Sequence, residues 1–524
     1  MRPNHKTVPS QPDPLSQVWQ ELELTFLAQT TLERPYTEVE FWSEFDNESG
    51  TRIERPGFWA GGETWRLRFM SPGLAGAWTY RTRSSPPVPG LDGESGRFEI
   101  READSSADVF TKRGFWRMSP GGRNLVHADG TPTTLIADTA WALPWRATLE
   151  EVEVYARDRS QKGFNAVLMM TLQPDREAVG PRDRSADGGF AIAFEDLPNG
   201  ELKQMNSDYF EYFDAISATL IRHGLVPVLQ PVFFGYGWKG GGAAGPIVTC
   251  EDYARYCRYL VARYGARPAI YLVSADGQGE HPQVAAGGEE IQRVDAYGQP
   301  TGIHYCPHAK NQAHQNAEWL DFQWCQTGHM GEHMPERVAD MWRNLPAKGV
   351  ANGEPTYENV GETGRACDWW QGHEAWSNLC SGGTMGVVYG AGSLWQWKHR
   401  ANEPGHPDWC SAPDAGWREA LDFPGSAHVG RIGKILAGLP LSDIEPNWVV
   451  TLGKRGLYAP GKLLITYLST GGDLTTLVEG VPLNYRVVDP LDGSIVAQGR
   501  KKTQDERLCL PTGRPLVCIF CADE

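Results

Sequence analysis

Two patterns of apolar residues divide the chain. Over residues 18–102 apolar and polar positions alternate. The runs Glu21-Leu22-Glu23-Leu24-Thr25-Phe26, Thr37-Glu38-Val39-Glu40-Phe41-Trp42, Trp65-Arg66-Leu67-Arg68-Phe69 and Ala77-Trp78-Thr79-Tyr80-Arg81-Thr82 all have period two. Turns rich in Gly, Pro and Ser separate them, and Arg97-Phe98-Glu99-Ile100 closes the set. Short strands with one apolar face predict a β-sandwich. The polar stretch 101–106 reads as a linker.

From Phe115 the apolar runs become continuous: Thr134-Leu135-Ile136-Ala137, Ala166-Val167-Leu168-Met169-Met170, Val226-Pro227-Val228-Leu229 and Ile270-Tyr271-Leu272-Val273. Between them 149–161, 207–223 and 250–264 carry apolar residues three and four apart, the helical period. Strands without alternation, joined by helices, predict a parallel sheet covered on both faces. Weaker strands at 302–306, 320–326, 349–352 and 385–388 complete eight. Eight strands over about 300 residues fit a (β/α)8 barrel. No G-x-G-x-x-G or P-loop follows the first strand, which removes the main support for a nucleotide fold.

From 441 short strands return at Trp448-Val449-Val450-Thr451, Leu463-Leu464-Ile465-Thr466-Tyr467-Leu468, Tyr485-Arg486-Val487-Val488 and Leu516-Val517-Cys518-Ile519-Phe520. The expected organisation is a disordered tail (1–17), an N-terminal β-sandwich (18–102), a (β/α)8 barrel (113–440) and a small C-terminal β-sandwich (441–524).

Composition narrows the partners. The chain of 524 residues exceeds what one core usually serves. Its 65 acidic against 49 basic residues give a net charge of −16, with no basic block. That excludes nucleic acid and an anionic membrane surface as expected partners and leaves a neutral substrate. The 20 Trp fill cores, but flat rings with a polar edge also suit sugars. No apolar run of about 18 residues predicts a membrane span. The polar, proline-rich start lacks an apolar signal core, and the 10 Cys are scattered, so cytoplasmic location with reduced thiols is expected. No cofactor is expected, and a homo-oligomer is left open.

Candidate chemistry centres on two acids. Asp276 ends the fourth apolar run and Glu354 the seventh, the side of a barrel where active sites are built. Either could be a plain turn residue, since Asp276-Gly277 and Asn352-Gly353 are loop dipeptides. Together they are what a glycosidase requires, one carboxyl as nucleophile and one as acid and then base, about 5–5.5 Å apart for retention and about 6.5–9.5 Å for inversion.

The barrel region, 115–424, resembles the apiosidase-like glycoside hydrolases, first known as domain of unknown function 4038 and including glycoside hydrolase family 140. The matching pieces are His127-Ala128-Asp129-Gly130-Thr131-Pro132, Ala137-Asp138-Thr139-Ala140-Trp141, Lys162-Gly163-Phe164-Asn165-Ala166, Trp319-Leu320-Asp321-Phe322-Gln323, Gln326-Thr327-Gly328-His329, Asn352-Gly353-Glu354-Pro355 with Tyr357-Glu358, and Tyr389-Gly390-Ala391 with Trp395-Gln396-Trp397. Residues 18–100 resemble the β-sandwich (domain of unknown function 5060) often found before this barrel, through Gly57-Phe58-Trp59 and Arg68-Phe69-Met70-Ser71-Pro72.

The resemblance implies a retaining glycosidase with Asp276 as acid/base and Glu354 as nucleophile. Asp138, Gln326, His329 and Tyr389 would then line the sugar subsite, or else brace the mouth. Trp141, Tyr236, Trp238 and Trp395 would stack on sugar faces, or belong to the core. A terminal sugar, by analogy a furanose such as apiose or arabinose, would be released from a short oligosaccharide or glycoside.

The chain departs from the family pattern where Tyr271-Leu272-Val273-Ser274-Ala275-Asp276 replaces Trp-x-x-Gly-Gly-Asp, and where Cys306-Pro307 replaces His-Pro. The extra segment 278–297 brings Glu280, an alternative acid/base. Three other readings stand beside the enzyme. The barrel could bind carbohydrate without catalysis. His329-Met330-Gly331-Glu332-His333 matches H-x-x-E-H, which on a helix would hold zinc with Glu332 as base. His304-Tyr305-Cys306-Pro307-His308 is a weaker metal candidate.

Overall fold

The structure, a computed structural model, describes residues 16–174, 192–235, 242–307, 311–329, 331–332, 334–360, 368–401, 403, 415–442, 444–476 and 479–522. Two antiparallel sheets open the chain. One orders Leu22–Leu27, Thr64–Phe69 and Phe58–Gly61; the other orders Arg52–Pro56, Glu40–Asn47, Gly76–Ser85 and Ser95–Ile100. Alternation works as expected in Leu22–Leu27 and Glu40–Asn47, whose buried residues meet between the sheets. Phe45 stacks on Phe69 with ring centroids 4.3 Å apart, and Phe26 meets Phe41 at 5.4 Å.

Two local expectations fail here. Pro35 pre-sets a short helix, Pro35–Glu38, so the strand expected over 37–42 begins at Glu40. Arg68, polar by alternation, is buried against the barrel. It donates to both carboxylate oxygens of Asp214, which also pairs with Arg263. Of the expected tail, residues 1–15 lie outside the described residues. Ser16 and Gln17 are tied to the sandwich by the Arg101 amide and the Asp104 carboxylate.

The eight apolar runs form a closed parallel barrel: Leu135–Thr139, Ala166–Met170, Val226–Gln230, Ile270–Leu272, Thr301–His304, Phe322–Gln326, Gly349–Glu354 and Gly386–Tyr389. Around it lie the expected helices Leu149–Lys162, Ser207–Arg222 and Cys250–Tyr264, then Pro282–Val294, Glu336–Trp342, Trp369–Leu379 and Pro424–Leu436. The first of them starts with a reciprocal cap between Thr148 and Glu151. No described helix is long and apolar enough to cross a membrane. All the described cysteines are free.

The barrel closes by pairing its first and last strands, with Asp138 opposite Tyr389. Both side chains point outward into a buried polar clasp. Asp138 accepts from Arg159 Nε at 2.6 Å and Tyr155 Oη at 2.9 Å. Tyr389 donates to Glu358 at 2.6 Å, and the Arg159 guanidinium lies over the Tyr155, Phe164 and Tyr389 rings. Glu358 also accepts the Gly425 amide, where a Cβ would stand 2.4 Å from the carboxylate, so the second residue of the helix Pro424–Leu436 must be glycine. Arg159 and Asp138 are both 0% exposed. Removing one partner strands a buried charge, so Arg159→Met is expected to cost about 3–5 kcal/mol in denaturant unfolding.

The C-terminal region is one six-stranded antiparallel sheet, ordered Glu445–Pro446, Arg455–Ala459, Leu463–Leu468, Leu516–Cys521, Asn484–Val488 and Ile495–Arg500. Leu463, Ile465 and Tyr467 join the core shared with the barrel, while Leu464 and Leu468 join a second cluster on the other face. The strand expected at Trp448–Thr451 is a turn. Asn447 Oδ1 accepts the Val449 and Val450 amides, which withdraws them from any ladder.

Candidate active site

Glu354 is the last residue of the seventh strand and 4% exposed. Gly353 before it is part of that strand rather than a turn. A Cβ there would stand 1.8 Å from Trp324 Nε1, so only glycine lets the strand pass the indole. A register shift between Cys325 and Gln326 then sets Gln326 opposite Glu354. Gln326 Nε2 donates to Glu354 Oε1 at 2.7 Å. His329 Nε2 lies 3.1 Å from the same oxygen, its ring 4.5 Å from that of Tyr357.

The other oxygen faces His304 at the end of the fifth strand. His304 Nε2 is 3.0 Å from Oε2, close but misaligned for a hydrogen bond. Gln230, ending the third strand, donates from Nε2 to His304 Nδ1 at 2.8 Å. That donor fixes the tautomer, so the ring proton sits on Nε2, the ring nitrogen beside the carboxylate. Burial alone would raise the pKa of Glu354. The contacts of His304 and His329 outweigh it and hold the carboxyl well below the usual range, so it is ionised.

Asp276 has the opposite setting. It follows the fourth strand between Ala275, bridged to Phe233, and Gly277, bridged to Tyr305. Its φ of +51° is left-handed, a conformation Asp tolerates but which costs energy and commonly marks functional sites. Oδ1 is buried without a hydrogen bond among the described residues. Burial, and then the negative charge of Glu354, push its pKa well above the carboxylate range, so it keeps its proton.

One wall of the mouth is aromatic. Trp141 meets Phe233 and Trp395 edge-on, with centroids 5.7 and 5.6 Å apart. Its Nε1 has no partner among the described residues. Gln326 and His329 thus gather at Glu354, and Trp141 and Trp395 stand together. Asp138 and Tyr389 face the outer helices instead. Tyr236 and Trp238 lie outside the described residues, as do His308 and His333. Glu280 is exposed, past the half-buried Asp276.

The described part of the H-x-x-E-H segment is not helical. Gly331 has φ +68°, and His329 is turned to Glu354. Among the described residues no group of three His, Cys, Asp or Glu could hold a metal ion.

The sequence offers His304 only as part of a weak metal candidate and does not single out Gln230. Each ends a barrel strand, and that position is the signal that could have found them.

A buried brace holds the two loops in place. Glu374 accepts from Thr327 Oγ1 at 2.7 Å, the Thr356 amide at 3.3 Å and Trp370 Nε1 at 3.1 Å. Thr327 in turn accepts from Asn352 Nδ2 and donates its amide to the Glu354 carbonyl. Every donor here expects an acceptor, and an amide group would present N–H to N–H. Glu374→Gln is therefore expected to lose about 1–3 kcal/mol of stability, read by chemical denaturation.

The fold is a glycoside-hydrolase-like (β/α)8 barrel. Solved structures of similar shape include a glycoside hydrolase family 5 protein from Bacteroides vulgatus, at 19% identity and TM-score 0.66, covering 80% of this chain and 95% of that one. Another Bacteroides vulgatus protein described as a glycoside hydrolase has 18% identity and TM-score 0.70, covering 97% and 99%. At such identities the likeness is one of fold. Residues 119–443 match the family described as "Apiosidase-like, catalytic domain", and the chain belongs to that family. Residues 16–85 match a domain of unknown function, DUF5060. Curated proteins offer no match to this chain.

Proposed function

We propose that this protein is a retaining, exo-acting glycosidase with Glu354 as nucleophile and Asp276 as acid and then base. The observation that carries the reading is the opposed state of two carboxyls at the same mouth. One is held ionised by His304 and His329, the other held protonated by burial and its neighbour's charge. Oε1 of Glu354 is tied to Gln326 and His329, whereas Oε2 lacks an aligned hydrogen bond. Oε2 is the oxygen that attacks the anomeric carbon.

As that C–O bond forms, the glycosidic bond breaks and Asp276 passes its proton to the leaving oxygen. Water then attacks the glycosyl ester and gives a proton to Asp276. The sugar leaves with its configuration retained, and both carboxyls return to their starting states. The His304 N–H, weakly aligned at rest, stabilises the carboxylate each time it re-forms. Trp141, Phe233 and Trp395 suit the apolar face of one terminal sugar. The word apiosidase in the family's description favours apiose, a furanose; arabinose is the related alternative, and the carrier is a short oligosaccharide or glycoside.

A panel of nitrophenyl furanosides and pyranosides followed by proton NMR tests this. The first product anomer is expected to share the substrate's configuration. An inverted first product overturns retention. Binding of sugars with no turnover on any member supports a non-catalytic carbohydrate-binding barrel instead.

A further inference from the structure

A cavity of about 510 Å³ lies far from Glu354, between the N-terminal sandwich and the outer barrel helices Cys250–Tyr264 and Pro282–Val294. One wall is sheet surface carrying Glu40, Trp42, Glu54 and Trp59; the other is helix surface carrying Arg258 and Arg293. Trp42 shares the outward face of its strand with the exposed Glu40, yet both Trp42 and Trp59 are only half-buried. Elsewhere in the sandwich the large rings pair with one another, as Phe41 does with Trp65. Among the described residues Trp42 and Trp59 stack on no other ring. Trp59 has its Nε1 occupied by the Gly62 carbonyl at 3.0 Å, which holds the indole in place.

The polar groups are mixed in sign and linked across the cavity. Arg258 pairs with Glu40 on the sandwich and, at 2.8 Å, with Glu290 on the second helix, which also holds Arg293. Carboxylates outnumber guanidinium groups in the lining, which disfavours phosphates, uronates and other anions. A hydroxyl both donates and accepts, so adjacent carboxylate and guanidinium groups can satisfy it at once. Aromatic faces beside such pairs, in a cavity within the usual ligand range of about 300–1,000 Å³, suit a polyol. We propose that this cavity is a second carbohydrate site, binding a neutral oligosaccharide remote from the site of cleavage.

The test uses the full chain carrying Glu354→Gln, with cellohexaose, xylohexaose, mannohexaose and arabinohexaose as probes. At least one is expected to slow backbone hydrogen exchange in segments 36–42, 54–59 and 290–296. Adding Trp42→Ala and Trp59→Ala is expected to weaken that oligosaccharide about tenfold or more, equivalent to about 1.4 kcal/mol. With Glu354 intact, the same two substitutions should leave kcat/KM on a small nitrophenyl glycoside unchanged. If the double variant fails to fold, Arg293→Ala on the opposite wall should show the same loss.

The proposal is overturned if the four probes leave those segments unchanged or protect only the mouth. Undiminished binding by the variants, or tighter binding of hexagalacturonate than of any neutral probe, overturns it too. Exchange needs no turnover, so failure of this site and failure of the glycosidase reading are separate results.

Discussion

Glu354→Gln is expected to lower kcat/KM on any substrate by on the order of 10⁴-fold or more, the scale on which covalent nucleophiles are lost. The replacement keeps shape and burial, so the fold should persist. It exchanges an ionised carboxylate for an amide whose oxygen attacks poorly and whose nitrogen meets donors. Gln326, His329 and His304 all present N–H groups to this position. An amide can accept from some of them but must turn its NH₂ toward another. Activity loss accompanied by modest destabilisation is the expected pair of results, read by steady-state kinetics and thermal unfolding of the same preparation. Loss of folding without loss of specific activity would mean that the His-Gln cluster is structural.

Asp276→Asn is expected to lower kcat/KM by about 10²–10⁴-fold, the usual worth of a general acid or base. The loss should be smallest for nitrophenyl leaving groups, which depart without protonation. Azide should restore turnover by replacing water in the second step, where it needs no base, and yield a glycosyl azide. The pH profile carries a sign. Asp276 works in the first step only while protonated, so activity falls on the alkaline side as pH passes its raised value. Glu354 must be ionised, and its depressed value places the acid limb well below the usual carboxylate range. Asp276→Asn should abolish the alkaline limb and leave the acid one.

Asp276→Asn should change stability in the opposite sense to activity. In the unfolded chain Asp276 ionises near pH ~3.9, whereas in the folded chain it stays protonated to a higher pH. Between those values the folded state binds the extra proton, so stability falls as pH rises. Asp276→Asn removes that penalty. The variant should melt higher than the native chain at neutral pH, with the difference vanishing below about pH 3.

Much of this site was legible because barrel strands end in polar residues at the mouth. The apolar runs located all eight strands, and their ends produced Asp276 and Glu354; the family resemblance added Gln326 and His329. Parity along the strand was the overlooked part. Ile136 packs outward against Gly433, so Asp138, two residues on, also faces the helices and serves the closure with Arg159. Tyr389 joins the same clasp through Glu358.

His304 sat in a segment that suggested metal binding, and Gln230 in Leu229-Gln230-Pro231 carries no chemical signature at all. Their roles arise only when the third, fifth and seventh strands converge. Alternation misplaced Arg68 for a similar reason, since a sheet face read as solvent-facing docks on the barrel. Asn447 defeated a β-rich run at Trp448 by capturing its amides locally.

The most direct measurement is trapping of the intermediate. A glycoside fluorinated beside the anomeric carbon, with a good leaving group, forms the ester but hydrolyses it slowly. Intact-protein mass spectrometry should show one added glycosyl group, and peptide sequencing should place it on Glu354. A label on any other residue, or a substrate that turns over with no glycosyl-enzyme and with inverted product, would contradict the account.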